Sequence, residues 1–324
     1  MRILLTTTSY QDTPGPHHEL LAKSGFEVVR ARGPLKEEQV LKLITDNGGF
    51  DGLLNGDDLI TAKVIDAALA APTKLRVIAK YGIGLDSIDV AHATSKKIPV
   101  LFTPGVNHTT VAEHAFLLMI GVAKQIWPHM RSTKSGKWQR STGHELFGKT
   151  LGVMGMGRIG KEVIKRARAF EMPCVAFGQY WDHGFAEEYD VHRCVTAEEL
   201  LKTSDVISLH MNLTPENHHF INAKTIALMK PEAIIINTAR GGIVNEADVA
   251  AACKSGRLQG YGTDVLSVEP QEPNHPFVDV DNILVTPHIG SRTFESVERQ
   301  AMRATRNLLN YLRGDKDFIQ ANEF

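Results

Sequence analysis

Residues 150–160 read T-L-G-V-M-G-M-G-R-I-G, and this stretch narrows the fold of the 324-residue chain further than any other. The apolar run over 151–154 predicts a strand buried on both faces. Gly155, Gly157 and Gly160 then form G-x-G-x-x-G at the head of a helical stretch, KEVIKRARAF. In such a strand–turn–helix the first glycine makes the tight turn and the second lets the backbone approach a pyrophosphate. The third lets helix and strand pack closely. The helix amino terminus offers N–H groups and a positive dipole end to the phosphates. The rival reading is a glycine-rich turn without a ligand. Gly155 to Lys161 also fits the first seven positions of a phosphate-binding P-loop, but that loop needs Ser or Thr next, and residue 162 is Glu. Lys161, Lys165, Arg166 and Arg168 read as the solvated face of the helix.

Two series of short apolar runs, over 2–102 and 150–287, alternate with helical stretches, which is the α/β layer pattern. A helix beginning near Asn107 and the polar stretch 131–149 separate them. That helix carries an apolar surface at Ala112, Ala115, Phe116, Met119 and Ile120, expected in the core or at a subunit contact. The amphipathic segment 296–314 has no third sheet to pack on, so it is expected to fold back on the first series and make that domain discontinuous.

Bulk properties exclude several function classes. With 36 basic and 37 acidic residues the net charge is −1, so no long-range field gathers polyanions and nucleic acid is not expected as a partner. Cys174, Cys194 and Cys253 form no CxxC pair, consistent with reduced thiols in a cytoplasmic protein. The fourteen histidines include the adjacent pairs His17–His18 and His218–His219 but no helical ligand spacing, so no metal is expected. MRILLTTTSY turns polar too soon for a secretory segment, and 111–123 is too short and too interrupted, by Glu113 and His114, to span a bilayer.

Three later segments place reactive side chains at strand ends: N-T-A-R-G-G (237–242), T-D-V-L-S-V-E-P (263–270) and T-P-H-I-G-S (286–291). Ligands of open α/β sheets collect at the carboxyl ends of strands, so Arg240, Glu269 and His288 are candidates to share one crevice. Arginine grips a carboxylate with two parallel hydrogen bonds, and histidine exchanges a proton near neutrality. A glutamate beside the histidine favours and orients its charged form. Alone, Arg240 is more often a surface ion-pair partner and His288 a loop histidine.

In this order, with K-Y-G-I-G-L-D-S-I-D (80–89), T-P-G-V-N-H-T-T-V-A-E-H (103–114) and E-L-F-G-K-T-L-G (145–152), the segments resemble the NAD(P)-dependent D-2-hydroxyacid dehydrogenases over nearly the whole chain. The resemblance implies a Rossmann-type doubly wound parallel sheet at 104–290, inserted in a smaller flavodoxin-like α/β substrate domain of 1–103 plus 291–324. It implies that Arg240 binds the substrate carboxylate and carbonyl, that His288 is the acid/base and that Glu269 orients it. Substrate contacts fall at Asn55, Tyr81, Gly82, Ile83 and Asn107. Cofactor contacts fall at Gly155, Gly157, Arg158, Ile159, Gly160, Gly178, Gln179, His210, Thr238, Ala239, Asp264 and Gly290, with Asp264 on the nicotinamide carboxamide. A homodimer packed through the helix matching 107–127 is also implied.

Two departures bear on specificity. Gly178 stands 18 residues past Gly160, where an acid for the ribose hydroxyls is usual. Residues 179–183 carry no Arg or Lys for a 2′-phosphate, so NAD is expected, with NADP tolerated. Tyr180 or Trp181 is a candidate to cover the adenine, and Asp182 to replace the missing acid. The loop Asn55-Gly56-Asp57-Asp58 holds two carboxylates and no arginine, and the chain ends soon after its last helix. Both point to a small, non-phosphorylated 2-keto acid of the glyoxylate or hydroxypyruvate type, although Lys80 is placed to compensate a phosphate. The alternatives are a D-3-phosphoglycerate dehydrogenase and a non-catalytic dinucleotide-sensing protein of the same fold.

Overall fold

A computed structural model describes residues 1–324. The chain divides into two compact units, Met1–Asn107 with Arg292–Phe324, and His108–Ser291.

The first unit is built on a five-stranded parallel sheet. Its strands are β1 (Arg2–Leu5), β2 (Glu27–Arg30), β3 (Gly52–Asn55), β4 (Val77–Lys80) and β5 (Val100–Leu101), in the order β2-β1-β3-β4-β5. This is the flavodoxin-type order. β3 and β4 are buried along their whole length, which is why they read as unbroken apolar runs rather than alternating ones. The carboxy-terminal amphipathic segment forms the helix Phe294–Arg313. Thr293 caps its start and Gly314, with φ +88°, ends it in the left-handed region. Its stripe of Ala301, Ala304, Leu308 and Leu312 joins a core with Ile3, Leu5, Leu54 and Val77, so the segment does return to the first series.

The second unit has seven parallel strands: β6 (Leu151–Met154), β7 (Cys174–Phe177), β8 (Val191–Arg193), β9 (Val206–Leu209), β10 (Ala233–Asn237), β11 (Leu258–Thr263) and β12 (Ile283–Val285). Their order is β12-β11-β10-β9-β6-β7-β8. The chain winds outward from β6 to β8, then crosses to β9 on the other side of β6 and winds outward again. This is the doubly wound order with one added edge strand, and its topological switch lies between β6 and β9. β8 escapes sequence reading because only Val191 of its three residues is buried. In the helix His108–Ala123, Ala112, Ala115, Phe116 and Met119 are core, whereas Ile120 is 37% and Leu117 57% exposed. The polar stretch after it is not wholly irregular, since Ile126–Lys134 is helical. No helix of the protein is long and apolar enough to cross a membrane.

Candidate active site

The glycine loop leaves β6 at the switch point. Gly155 has φ +100°, and a Cβ there would stand 2.6 Å from the carbonyl oxygen of His210 at the end of β9. Only glycine meets both demands. A Cβ on Gly160 would run into the Gly155 carbonyl, whereas one on Gly157 would meet nothing within 4 Å. Gly157 therefore faces open space, beside Arg158 and Ile159 in the first turn of the helix Arg158–Ala169, where no side chain caps the free amides.

Around this cradle lie polar atoms without protein partners. His210 Nε2 meets Ser208 Oγ at 2.7 Å, while its Nδ1 is buried and unpaired. Burial pushes this imidazole down to about 3, so the ring is neutral. Thr238 Oγ1, just past β10 and next to Ala239, is likewise buried and unpaired. An open glycine face, uncapped helix amides and orphaned polar atoms fit the phosphates and amide of a dinucleotide.

The end of β7 departs from expectation. A Cβ at Gly178 would touch nothing closer than 3.6 Å, so packing does not exclude a larger residue. Gln179 and Tyr180 are exposed. Trp181 packs on the core and against the Arg193 guanidinium, 5.3 Å from its ring. Asp182, the candidate for the missing acid, is engaged within the protein. Its carboxylate accepts from Phe185 N at 3.1 Å as a helix cap and is paired with Lys161. The Lys161 ammonium, foremost, and the Phe185 amide hold that carboxyl below the usual range. Lys161 is therefore engaged at the end of β7 and is more than a solvated helix face.

Arg240, Glu269 and His288 follow β10, β11 and β12, whose ends are in register at Asn237, Thr263 and Val285. Asn237 shapes the first turn, accepting from Ala239 N at 3.0 Å and donating to Arg240 O at 3.0 Å. A side chain on Gly241 would overlap the Leu266–Ser267 backbone, so this turn packs directly on the segment leading to Glu269. The Glu269 carboxylate accepts from Leu266 N at 2.9 Å and meets His288 Nδ1 at 2.8 Å. His288 itself has φ +53°, an uncommon conformation for a residue with a side chain.

Asp264 has a role that the sequence did not disclose. Its carboxylate accepts from Thr286 Oγ1 (2.6 Å), Ile289 N (2.9 Å) and Gly290 N (2.7 Å), and His114 Nε2 lies 3.3 Å away. Burial alone would raise this carboxyl, but the bonds from His114, Thr286 and Ile289 outweigh it and hold it low. Asp264 and Gly290, both read as cofactor contacts, are thus bonded to each other inside the loop that carries His288. His114 had registered only as an interruption in an apolar run. A polar residue on a buried helix face calls for a partner, and that signal was available.

The remaining candidates belong to the first unit. Asn55, 1% exposed, ends β3 with its Oδ1 buried and unpaired. Tyr81 N donates to Asn55 O at 2.9 Å, and burial pushes the Tyr81 phenol up to about 12. Gly82, φ +126°, donates to Thr103 Oγ1 at 3.0 Å, Ile83 is 39% exposed, and Asn107 is 9% exposed. Asp58 is buried and accepts from Thr6 Oγ1 (2.5 Å), Leu35 N (2.8 Å) and Gly56 N (3.0 Å), fixing the loop. Lys80 is buried beneath Asp57, at 2.6 Å.

Residues 116–290 match the family described as D-isomer specific 2-hydroxyacid dehydrogenase, NAD binding domain. Among curated proteins, the chain is 38% identical over 317 residues to a D-3-phosphoglycerate dehydrogenase of Methanocaldococcus jannaschii, covering 97% of this chain but 58% of that one. It is 35% identical to a glyoxylate reductase of Korarchaeum cryptofilum, with 90% and 87% covered. It is 38% identical to a hydroxypyruvate reductase of Thermotoga maritima, with 90% and 93% covered. Among solved structures, the D-lactate dehydrogenase of Aquifex aeolicus complexed with NAD and lactic acid superposes with a TM-score of 0.83 at 26% identity, over 97% of this chain and 96% of that one.

Proposed function

Because the chain belongs to the D-isomer specific 2-hydroxyacid dehydrogenases, NAD-dependent oxidoreductases acting on CH–OH donors, we propose that it interconverts a small 2-keto acid of the glyoxylate or hydroxypyruvate type with its D-2-hydroxy acid. One observation carries this reading. Arg240 and the Glu269–His288 pair leave three adjacent strand ends, on the same sheet edge as the glycine cradle.

Gly155 and Gly160 shape the turn, so that Gly157 and the amides of Arg158 and Ile159 would hold the pyrophosphate; Gly178 and Gln179 would border the ribose, and His210, Thr238 and Ala239 would serve the nicotinamide end. The bound nicotinamide supplies or accepts the hydride. The rest of the chemistry belongs to the side chains. Glu269 accepts a hydrogen bond from His288 Nδ1 and fixes the ring, which leaves Nε2 as the nitrogen that transfers a proton. In the reducing direction His288 gives that proton to the carbonyl oxygen. Arg240 grips the carboxylate and stabilises charge as it develops on that oxygen. Within the first unit, Asn55, Tyr81, Gly82, Ile83 and Asn107 are the residues we read as substrate contacts.

We place the enzyme in the cytoplasm, a reading supported by three buried free cysteines. We also read it as a homodimer, since Leu117 and Ile120 expose apolar surface on a largely buried helix. The decisive assay follows NADH oxidation with glyoxylate and hydroxypyruvate. Saturable turnover of either is expected. Tight NADH binding without turnover of any 2-keto acid would instead favour a dinucleotide sensor.

A further inference from the structure

The function proposed above leaves the substrate's tail, the group on the carbon beyond the carbonyl, unassigned, and the first unit contains a built subsite for it. Lys80 is the last residue of β4, in register with Asn55 at the end of β3. Its side chain is 2% exposed, a burial that lysine tolerates only when paired. The ammonium donates to Asp57 Oδ1 and to Gly56 O, each at 2.6 Å. Asp57 is itself 69% exposed, so a carboxylate and not an ammonium is what this strand end presents.

Two further polar atoms stand unsatisfied there. Asn55 Oδ1 and Thr7 Oγ1 are both buried without a partner, and Thr7 Oγ1 lies 3.5 Å from where a Cβ of Gly56 would stand. An acceptor and a hydroxyl together answer a ligand hydroxyl. The loop is not free to carry Asp57 away, because the three bonds to Asp58 pin it from below. Lys80 also runs directly into the Tyr81–Gly82–Ile83 turn. A Cβ on Gly82 would stand 3.6 Å from Lys80 Cε, so a small 2-keto acid that touches that turn has its third carbon within reach of Lys80 and Asp57.

We propose that Asp57, laid over the buried ammonium of Lys80, selects the substrate's tail: the subsite accepts hydrogen or hydroxymethyl and repels a phosphorylated or carboxylated tail. The pair is neutral as a whole, but an incoming anion meets the carboxylate first. Rejection therefore rests on a repulsive group, as specificity often does. Asp57→Asn removes one negative charge but keeps a side-chain oxygen for the Lys80 ammonium, which also retains Gly56 O, so the subsite becomes cationic while Asp58 still holds the loop.

The test compares kcat/KM for hydroxypyruvate and for its 3-phosphate, with NADH, in the wild type and in Asp57→Asn. The substituted position is exposed, and a melting curve verifies that the fold is kept. The wild type is expected to favour hydroxypyruvate. The substitution is expected to shift the ratio toward the phosphorylated acid by about tenfold or more, and raising the salt to shrink that shift because it is electrostatic. An unchanged ratio, a salt-independent shift or a wild type that already prefers the phosphate overturns the inference. If the wild type reduces neither acid, the functional reading fails with it. If it reduces both and the ratio does not move, this inference alone fails.

Discussion

His288 shows what a single residue requires of its surroundings. A histidine at φ +53° needs its neighbours to hold it there. They do so through Asp264, whose backbone oxygen accepts from His288 N at 3.0 Å and whose carboxylate takes the next two amides. His114 and Thr286 hold the carboxylate in turn. The histidine itself was legible as a candidate, because its type and its place after a strand suffice. Its clamp was not legible, because hydrogen bonds between residues 114, 264 and 286 leave no mark in local spacing. His288→Gln retains a partner for Glu269 but carries no exchangeable proton near neutrality. Its kcat is expected to fall by about 10²- to 10⁴-fold, with NADH affinity, read by fluorescence titration, close to wild type. Near-normal turnover would remove His288 from the chemistry.

The strand–turn–helix element separates two roles that the motif runs together. All three glycines were read from sequence, each with a reason, yet spacing alone does not say which of them serves the fold and which the ligand. The structure divides them. Gly155 and Gly160 are held by backbone contacts within the protein, whereas Gly157, at φ −80°, has conformational room and open space for a Cβ. Gly157→Ala is thus expected to melt near the wild-type temperature and to bind NADH about tenfold more weakly or worse, since the added methyl stands where the pyrophosphate approaches. Calorimetry of the same preparation gives both values. An unaltered affinity would place the cofactor elsewhere. In the neighbouring β7 loop, position alone offered Tyr180 or Trp181 for the adenine and Asp182 for the missing acid; the tertiary partners of the latter two, the core and Lys161, left no mark in the sequence.

At the scale of the molecule, both sheets were visible because strands buried on two faces write continuous apolar runs. The return of the last helix followed from its unpartnered stripe. What stayed hidden was exposed or short: the edge strand β8, and the helix Ile126–Lys134 inside a polar stretch. The exposed Leu117 and Ile120 carry the expectation of a dimer. Leu117→Arg, at 57% exposure, places a charge on that face without disturbing the core. Light scattering is expected to register twice the chain mass for the wild type and half of that for the variant. A wild-type monomer at micromolar concentration would refute the dimer.

The adjacent acids Asp57 and Asp58 have a consequence for descent. One is buried and holds the loop, the other is exposed and lies over the Lys80 ammonium, so a structural role and the proposed selective role fall on consecutive codons. Aspartate and asparagine codons differ by one base. On the proposed role of Asp57, a lineage carrying this loop stands a single point mutation from a new substrate range, with Asp58 still holding the loop.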